Sequence, residues 1–208
     1  MIITFEDANF IAVDKPAGVL TTPSRFQNED KRVVLGLQLQ ALKGVQIYPV
    51  HRLDFEVSGL VLFAKNPAAH SQANFWFENR LVQKTYEAWT DGDSDELTPG
   101  QEFQWQNKLL RGKRRSYESP HGKLSETTAH YLGFGESCLR WELHPQTGRP
   151  HQLRVHLAQN GYPILGDELY GSLTPWKPDA IALRSTELNF SKIPDRLGLP
   201  EKIKIEGL

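Results

Sequence analysis

Residues 138–161 read CLRWELHPQTGRPHQLRVHLAQNG, and this stretch combines a strand pattern with a helix pattern. Within Cys138–His144 apolar and polar residues alternate, which predicts a half-buried strand of an antiparallel sheet. Pro150–Asn160 begins with a proline, which suits the first turn of a helix, and Gly161 suits the position just after a helix end. The stretch therefore predicts a strand that is followed closely by a helix.

The rest of the chain contains further short strand and helix patterns. Strands are predicted at Ile2–Phe5, Phe10–Val13, Val45–Val50, Leu60–Ala64, Thr85–Thr90 and Ile181–Phe190. Helices are predicted at Asp30–Lys43, with a core face of Val33, Val34, Leu37 and Leu42, and at Ala68–Leu81. The regular alternation of strands and helices that builds a doubly wound parallel sheet is absent. The sequence therefore predicts an α+β fold with mixed, largely antiparallel sheets and flanking helices.

Composition excludes several classes of protein. The 208 residues contain 24 Lys and Arg against 25 Asp and Glu, and 39% of them are apolar, which is typical of a globular chain and not of a disordered one. One cysteine excludes an internal disulfide framework. The longest apolar run, Leu60–Ala64, is far shorter than the roughly 18 residues of a membrane span. The N-terminus is acidic where a signal peptide would be basic, so we expect a cytoplasmic protein with no membrane partner.

Charge is distributed unevenly in the middle of the chain. Residues 91–102 contain five acidic residues and no basic one, whereas residues 108–123 contain six basic residues and one glutamate. Such runs are common in solvated loops. A basic strip beside an acidic one also suits a protein that meets phosphates on one face only.

The sequence gives little support to metal or nucleotide chemistry. His151 and His156 are five residues apart, whereas metal ligands on one helix face are three or four apart. Ser58-Gly59 lacks the surrounding glycine pattern of a hydrolase nucleophile, and the glycine-rich loops of NTPases and dinucleotide enzymes are missing. We therefore expect neither a metal nor a cofactor.

Two polar segments remain as candidates for a functional site. The first, His51-Arg52-Leu53-Asp54, precedes a predicted core strand, where a carboxylate is costly unless it is paired. An internal ion pair would also explain it. The second, Gln146–Leu157, places two arginines and two histidines around one helix N-terminus, which favours anions.

These segments resemble the RluA family of RNA pseudouridine synthases, in the small form without an extra N-terminal RNA-binding domain. The resemblance covers about residues 9–190 and keeps the family's order of motifs. Its motifs are Lys15-Pro16-Ala17-Gly18, His51-Arg52-Leu53-Asp54 with Ser58-Gly59-Leu60, Lys84-Thr85-Tyr86, and Thr147–Leu157 continuing through Gly161–Asp167 to Tyr170-Gly171. It implies a single catalytic domain over residues 1–208, with an active-site cleft between two lobes.

The resemblance also implies the reaction and its catalytic residues. The family isomerises uridine in RNA, breaking the N1–C1′ bond and joining C5 to C1′, without cofactor or metal. Asp54 corresponds to the catalytic carboxylate, and Arg154, rather than Arg149, to the arginine that offsets the burial of its charge. Tyr86 corresponds to a tyrosine whose ring stacks on the uracil and whose hydroxyl takes part in removing the C5 proton. On its own pattern Tyr86 could also be a core aromatic.

RNA is the expected partner, as a stem-loop of tRNA or rRNA bound by a monomer. Arg52 is expected to enter the space that the flipped nucleotide leaves, or else to pair with a buried acid or carbonyl. The other residues expected to bind RNA are Lys15, Arg149, Lys113, Arg114 and Arg115. Val57 and Arg184 depart from the residues usual in the family, which leaves the choice of substrate open.

Two other functions compete with this one. A hydrolase of a glycosidic bond would use Asp54 with a second acid such as Asp167 and would release a free base or sugar. An RNA-binding module without catalysis would depend on the basic strip alone. Mass-neutral conversion of uridine in RNA separates all three.

Overall fold

The computed structural model describes residues 1–24, 30–135 and 137–208. Within these residues the helices are α1 Leu35–Lys43, α2 Pro67–Glu78 and α3 Gln152–Gln159, with a 3₁₀ turn at Glu168–Tyr170. The strands are β1 Ile2–Glu6, β2 Phe10–Lys15, β3 Tyr48–Pro49, β4 Ser58–Ala64, β5 Gln83–Thr90, β6 Glu102–Arg111, β7 Ser116–Glu118, β8 Lys123–Gly135, β9 Cys138–Pro145, β10 Leu183–Asn189 and β11 Lys202–Lys204. No helix in the described part of the chain is long and apolar enough to cross a membrane.

The chain divides into two compact units. Unit 1 consists of Met1–Gln83 and Ser185–Glu206, and unit 2 of Lys84–Arg184 and Gly207–Leu208. Antiparallel ladders build the sheet in both units. The α+β class with largely antiparallel strands is therefore confirmed.

Unit 1 is a sheet with its core against α2. Its strand order is β1-β2-β4-β10, with β3 paired to β4 and β11 to β10. Buried residues of β2 and β4 pack with Trp76 of α2 and with Phe190 after β10. The sequence predicts the start of α2 correctly, because the side chain of Asn66 accepts a hydrogen bond from the N–H of Ala69 at 2.9 Å and Pro67 occupies the first turn.

Unit 2 is a five-stranded sheet in the order β5-β9-β8-β6-β7, with α3 packed on it. The predicted alternation in β9 is confirmed, since Leu139, Trp141 and Leu143 are buried while the residues between them are partly exposed. The indole N–H of Trp141 donates to the Thr90 hydroxyl at 2.9 Å. A large aromatic on an inner strand thus fixes the core of this unit.

The first predicted helix differs from the observed one. It begins at Leu35 instead of Asp30, because residues 33–35 bond to Leu20 in a short parallel bridge and leave Val34 extended. Its buried face consists of Leu35 and Leu39, whereas Leu37 is 52% exposed, so the predicted core face is wrong. The segment that contains the β-branched Val33 and Val34 pairs with Leu20, and this tertiary pairing overrides the helical pattern.

Other boundaries also shift. The predicted strand Val45–Val50 shrinks to β3, and the predicted helix Pro150–Asn160 begins at Gln152, because His151 has a left-handed backbone with φ of 54°. Strands β6, β7 and β8 cover the basic strip, for which no strand was predicted. Their ladders join residues distant in sequence, a pairing that local patterns do not reveal.

Candidate active site

The His51–Asp54 segment of unit 1 is an irregular loop held at its middle residue. The hydroxyl of Thr21 accepts from the backbone N–H of Leu53 at 3.2 Å and donates to the Leu53 carbonyl at 3.0 Å. Both of these residues are buried, whereas Arg52 is exposed and Asp54 is partly exposed. The clamp therefore fixes the backbone on both sides while leaving the two charged side chains at the surface of the loop.

Lys15 supports the same loop from inside. Its side chain is fully buried, and its ammonium donates to the carbonyls of Pro16 at 3.0 Å, Val19 at 2.7 Å and Phe55 at 3.3 Å. Burial lowers the pKa of Lys15 to about 8, against the opposing influence of the carboxylates of Asp54 and Glu56. An ammonium enclosed in this way supports the loop backbone, and RNA binding by Lys15 stays a prediction. Its role is to position the loop.

The first residue of the loop is held by its ring. The Nε2 of His51 accepts from the backbone N–H of Leu62 at 3.0 Å, and the ring stacks on Phe77 with centroids 4.9 Å apart. An Nε2 that accepts belongs to a neutral imidazole with its proton on Nδ1. His51 is thus a structural member of the motif.

The glycine after the loop serves packing. Gly59 is the second residue of β4 and has φ of 112°, and a Cβ there would clash with the carbonyl oxygen of Ser185. Only glycine lets β4 approach β10 so closely. Val57 beside it is also buried, so this departure from the family's usual residue lies in the interior of unit 1.

In unit 2, Tyr86 lies on β5 opposite Leu143 of β9, and it is buried. Lys84 lies two residues earlier, so both side chains share one face of the strand. The ammonium of Lys84 donates to the Thr147 carbonyl at 3.3 Å, and burial lowers its pKa to about 8. Lys84 belongs to a sequence motif, but the resemblance assigns it no role. Its spacing from Tyr86 was the signal that could have found it.

Arg154 faces a carboxylate of its own unit. Its Nε and one terminal nitrogen donate to the two oxygens of Asp167 at 2.6 and 2.7 Å, and the two side chains are 3% and 1% exposed. Arg154 is therefore held as one half of a buried bidentate pair. The pairing of Arg154 with Asp54 joins residues of different units and stays a prediction.

A chain of contacts extends from Arg154 to the basic strip. Its guanidinium lies over the ring of Tyr170, 5.2 Å from the centroid. The Tyr170 hydroxyl accepts from the backbone N–H of Ser116 at 2.8 Å, donates to its carbonyl at 3.1 Å and lies 3.0 Å from Nδ1 of His151. Arg111 donates to Nε2 of His151 at 2.7 Å. Since Nε2 accepts, Nδ1 carries the proton and donates to the tyrosine, which leaves His151 neutral.

The turn before α3 is organised by Gln152. Its side-chain oxygen accepts from the Thr147 hydroxyl at 2.6 Å and from the N–H of Arg149 at 3.0 Å, while its amide nitrogen donates to the Glu126 carbonyl at 2.8 Å. Arg149 is partly exposed, and its Nε donates to the Leu124 carbonyl at 2.8 Å. The turn is thus rigid, with one arginine at its surface.

His156 belongs to a buried polar cluster. Its ring nitrogens lie 2.9 Å from the Thr127 hydroxyl, 3.0 Å from the Ser125 hydroxyl and 2.9 Å from the side-chain oxygen of Asn107. Burial lowers its pKa to about 4, so the ring is neutral. Within the described residues, no three His, Cys, Asp or Glu side chains are grouped so as to hold a metal ion.

The central part of the basic strip, residues 112–115, forms the turn between β6 and β7. The turn is closed by a hydrogen bond from the N–H of Gly112 to the Arg115 carbonyl at 2.9 Å. Lys113, Arg114 and Arg115 are all exposed on it. The sequence correctly predicts a turn whose cationic side chains project into solvent.

Comparison with known proteins shows which protein family this chain resembles. The family model for RNA pseudouridylate synthase matches residues 9–159. The chain is similar to the dual-specificity RNA pseudouridine synthase RluA of Vibrio vulnificus, with 36% identity over 200 residues, or 90% of this chain and 76% of that protein. It is 36% identical over 175 residues to the ribosomal large subunit pseudouridine synthase C of Rickettsia felis, covering 82% of this chain and 56% of that one. The solved structure of human RNA pseudouridylate synthase domain containing 1 matches with a TM-score of 0.74 and 26% identity, covering 93% of this chain and 80% of the human one.

Proposed function

Because the chain belongs to the RNA pseudouridylate synthase family, we propose that it isomerises a specific uridine in a tRNA or rRNA stem-loop through Asp54, Tyr86 and Arg154. Pseudouridine synthase activity on RNA follows from membership of the family. The choice of RNA and the role of each residue form the proposal. The matched region draws on both units, which supports assigning residues 1–208 to one catalytic domain.

The reaction rearranges one nucleotide without gain or loss of atoms. The N1–C1′ bond breaks, the base turns, and the C5–C1′ bond forms, while C5 loses a proton and N1 ends protonated. Cleavage develops positive charge at C1′, and an ionised carboxylate stabilises that charge or bonds to the carbon. Asp54 takes this role in the proposal, and the Thr21 clamp and the Lys15 ammonium hold the loop that presents it.

Arg154 supplies fixed positive charge for this chemistry. A carboxylate removed from water tends to take up a proton, and a nearby guanidinium opposes this. Asp167 holds Arg154 in one orientation by two short hydrogen bonds, so the guanidinium need not reorganise during the reaction. Asp167 is in this account a positioning residue.

Tyr86 supplies an aromatic ring and a hydroxyl. The ring is suited to stack on the uracil that has left the RNA stack, and the hydroxyl to assist removal of the C5 proton. Its buried position on β5 keeps the ring in a fixed orientation.

The substrate class rests on RNA chemistry and on the names of the relatives. One relative is a synthase of the ribosomal large subunit and another is a dual-specificity enzyme. Unpaired loop bases are the usual targets of specific RNA recognition, and flipping one out of a stack costs a few kcal/mol. Arg52 is exposed on the loop next to Asp54, as a residue that fills the vacated space must be. We propose a monomer that acts in the cytoplasm, where tRNA and rRNA are found, without metal or cofactor.

Asp167, the second acid suggested for a glycosidic-bond hydrolase, is bound to Arg154. Both oxygens of Asp167 accept hydrogen bonds from the Arg154 guanidinium, so this carboxylate is not placed to protonate a leaving group.

The match over residues 9–159 carries the proposal, and labelled RNA tests it. The purified chain is incubated with tRNA and with rRNA transcribed from uridine triphosphate labelled in the base. We expect label to move from uridine to pseudouridine in the digested RNA at unchanged mass. Release of free uracil would support the hydrolase instead, and binding without any conversion of either RNA would support the RNA-binding module.

A further inference from the structure

The turn between β6 and β7 borders a groove that the proposed chemistry does not use. The groove has a volume of about 560 Å³. It is lined by Gly112, Lys113, Arg114, Arg115, Tyr117 and Leu169. One wall is therefore cationic, and the remainder is aromatic or aliphatic.

Tyr117 is the aromatic part of this groove. It lies on β7, the last strand of the unit 2 sheet, and is 46% exposed. A Cβ at Gly112 would lie 3.1 Å from Cε1 of the ring, so the turn backbone packs closely against it. A ring supported in this way stays in place while much of its surface faces solvent.

The cationic wall is not neutralised by the protein. In the described parts of the chain, none of Lys113, Arg114 and Arg115 forms an ion pair with a carboxylate. Three adjacent cations beside an exposed aromatic ring complement a strand that carries phosphates and flat bases. An acidic peptide would satisfy the charges but would give the ring no flat partner.

The groove is anchored near Arg154. Tyr170, which lies beneath the Arg154 guanidinium, bonds through its hydroxyl to the backbone of Ser116 at the start of β7. Arg111 at the end of β6 bonds to His151 just before α3. Both strands that carry the turn are thus tied to the element that carries the proposed catalytic arginine.

We propose that this groove binds an unpaired nucleotide of the substrate RNA that flanks the target uridine. Its base stacks on Tyr117, and Lys113, Arg114 and Arg115 contact its phosphates. This inference rests on the proposed function, because it assigns the groove to the same RNA.

The ring and the cations make separable contributions. Stacking on a base does not depend on salt, whereas each phosphate contact to single-stranded RNA contributes about 0.7 to the slope of log affinity against log salt. Loss of the ring at Tyr117 should therefore weaken binding about tenfold at every salt concentration. Loss of the three cations should lower the slope by about 2.

The experiment measures the affinity of a fluorescein-labelled oligouridine and of an abasic oligonucleotide of equal length. For Tyr117→Ala and Tyr117→Leu we expect about tenfold weaker binding of oligouridine, an unchanged salt slope and unchanged binding of the abasic probe. Tyr117→Phe keeps the stacking face and should bind like the unaltered protein. Phe134→Ala is the matched control, since this aromatic is 63% exposed and lies outside the groove.

Two results would overturn the inference. One is oligouridine affinity that stays unchanged in both Tyr117→Ala and Tyr117→Leu. The other is an equal loss on the abasic probe, since a base is then not what the ring contacts. Labelled-RNA turnover of the unaltered protein is measured in parallel. If it converts uridine while these variants bind normally, the groove assignment alone fails; if it converts none, the proposed function fails.

Discussion

The loop around Asp54 and the start of α3 around Arg154 hold charged side chains in opposite ways. In unit 1 the loop is fixed through its backbone: the Thr21 hydroxyl and the Lys15 ammonium bind the main chain of the residues beside Asp54. In unit 2 the guanidinium of Arg154 is itself fixed, by a buried carboxylate and an aromatic ring. The first arrangement is distributed over several hydrogen bonds to the backbone, whereas the second includes a buried ion pair. Single substitutions should therefore be most damaging in unit 2.

The largest effect is expected for Arg154→Ala. This change leaves Asp167 as a buried carboxylate without its partner, which should cost roughly 3–5 kcal/mol of unfolding free energy and abolish activity. Urea denaturation gives the free energy. The double variant Arg154→Met with Asp167→Leu is the control, because replacing both charges by apolar side chains should restore most of the stability but not the activity. Equal losses in the single and double variants would contradict the account of this pair.

A smaller effect is expected for Thr21→Val, which tests the backbone clamp of unit 1. It leaves the buried N–H and carbonyl of Leu53 without their partner, at a cost of about 1–3 kcal/mol. The shape of the side chain is nearly conserved, so packing changes little. Turnover should fall by a larger factor than the affinity for RNA, because the loop carrying Asp54 is loosened. Unchanged unfolding and turnover would show that the clamp does not position the loop.

The lowered pKa of Lys84 predicts how the unfolding free energy depends on pH. Its pKa in the folded chain is about 8, below its ordinary value of 10.5, so between these values the unfolded chain binds more protons. The unfolding free energy should therefore rise with pH from about 8 toward 10, by at most about 1.4 kcal/mol per pH unit from this residue. Lys15 contributes a similar slope. Lys84→Met should flatten the wild-type curve in urea denaturations across this range, and an identical curve would refute the shift.

The smallest effect on stability is expected on the basic turn, where side chains are exposed. Replacing Lys113, Arg114 and Arg115 by alanine should change the unfolding free energy by no more than about 0.5 kcal/mol. The salt slope of RNA binding should nevertheless fall by about 2. A control removes three exposed lysines of unit 1, namely Lys192, Lys202 and Lys204, and should leave the slope unchanged. An unchanged slope in the turn variant would make the strip a solvated loop.

The sequence predicts those parts of the fold that local patterns determine. The alternation in β9 and the Asn66-Pro67 start of α2 involve neighbouring residues, and both are confirmed. The predicted start of α1 is wrong because Val33 and Leu35 bond to the more distant Leu20, and a helical pattern carries no information about such a partner.

For the candidate site, too, local sequence patterns predict some features and tertiary packing determines the others. The sequence identifies the charged residues of the two motifs but not their surroundings. Asp167 is 13 residues from Arg154, so its role as that residue's partner depends on the path of the chain after α3. The positive charge of Lys15 suits a phosphate-binding residue, yet the fold encloses its ammonium group, which donates hydrogen bonds to three carbonyls. Burial, which decides between these roles, is set by tertiary packing.

The most direct test of the central claim is conversion of uridine to pseudouridine by Asp54→Asn. Asparagine keeps the size of the side chain but removes the negative charge that the proposed reaction needs at C1′. We predict no detectable pseudouridine in labelled tRNA or rRNA, with thermal unfolding and RNA affinity unchanged. Asp95→Asn, on an exposed loop of unit 2, should retain full activity. Pseudouridine formation by Asp54→Asn at a rate near that of the unaltered protein would contradict the assignment of Asp54 as the catalytic carboxylate.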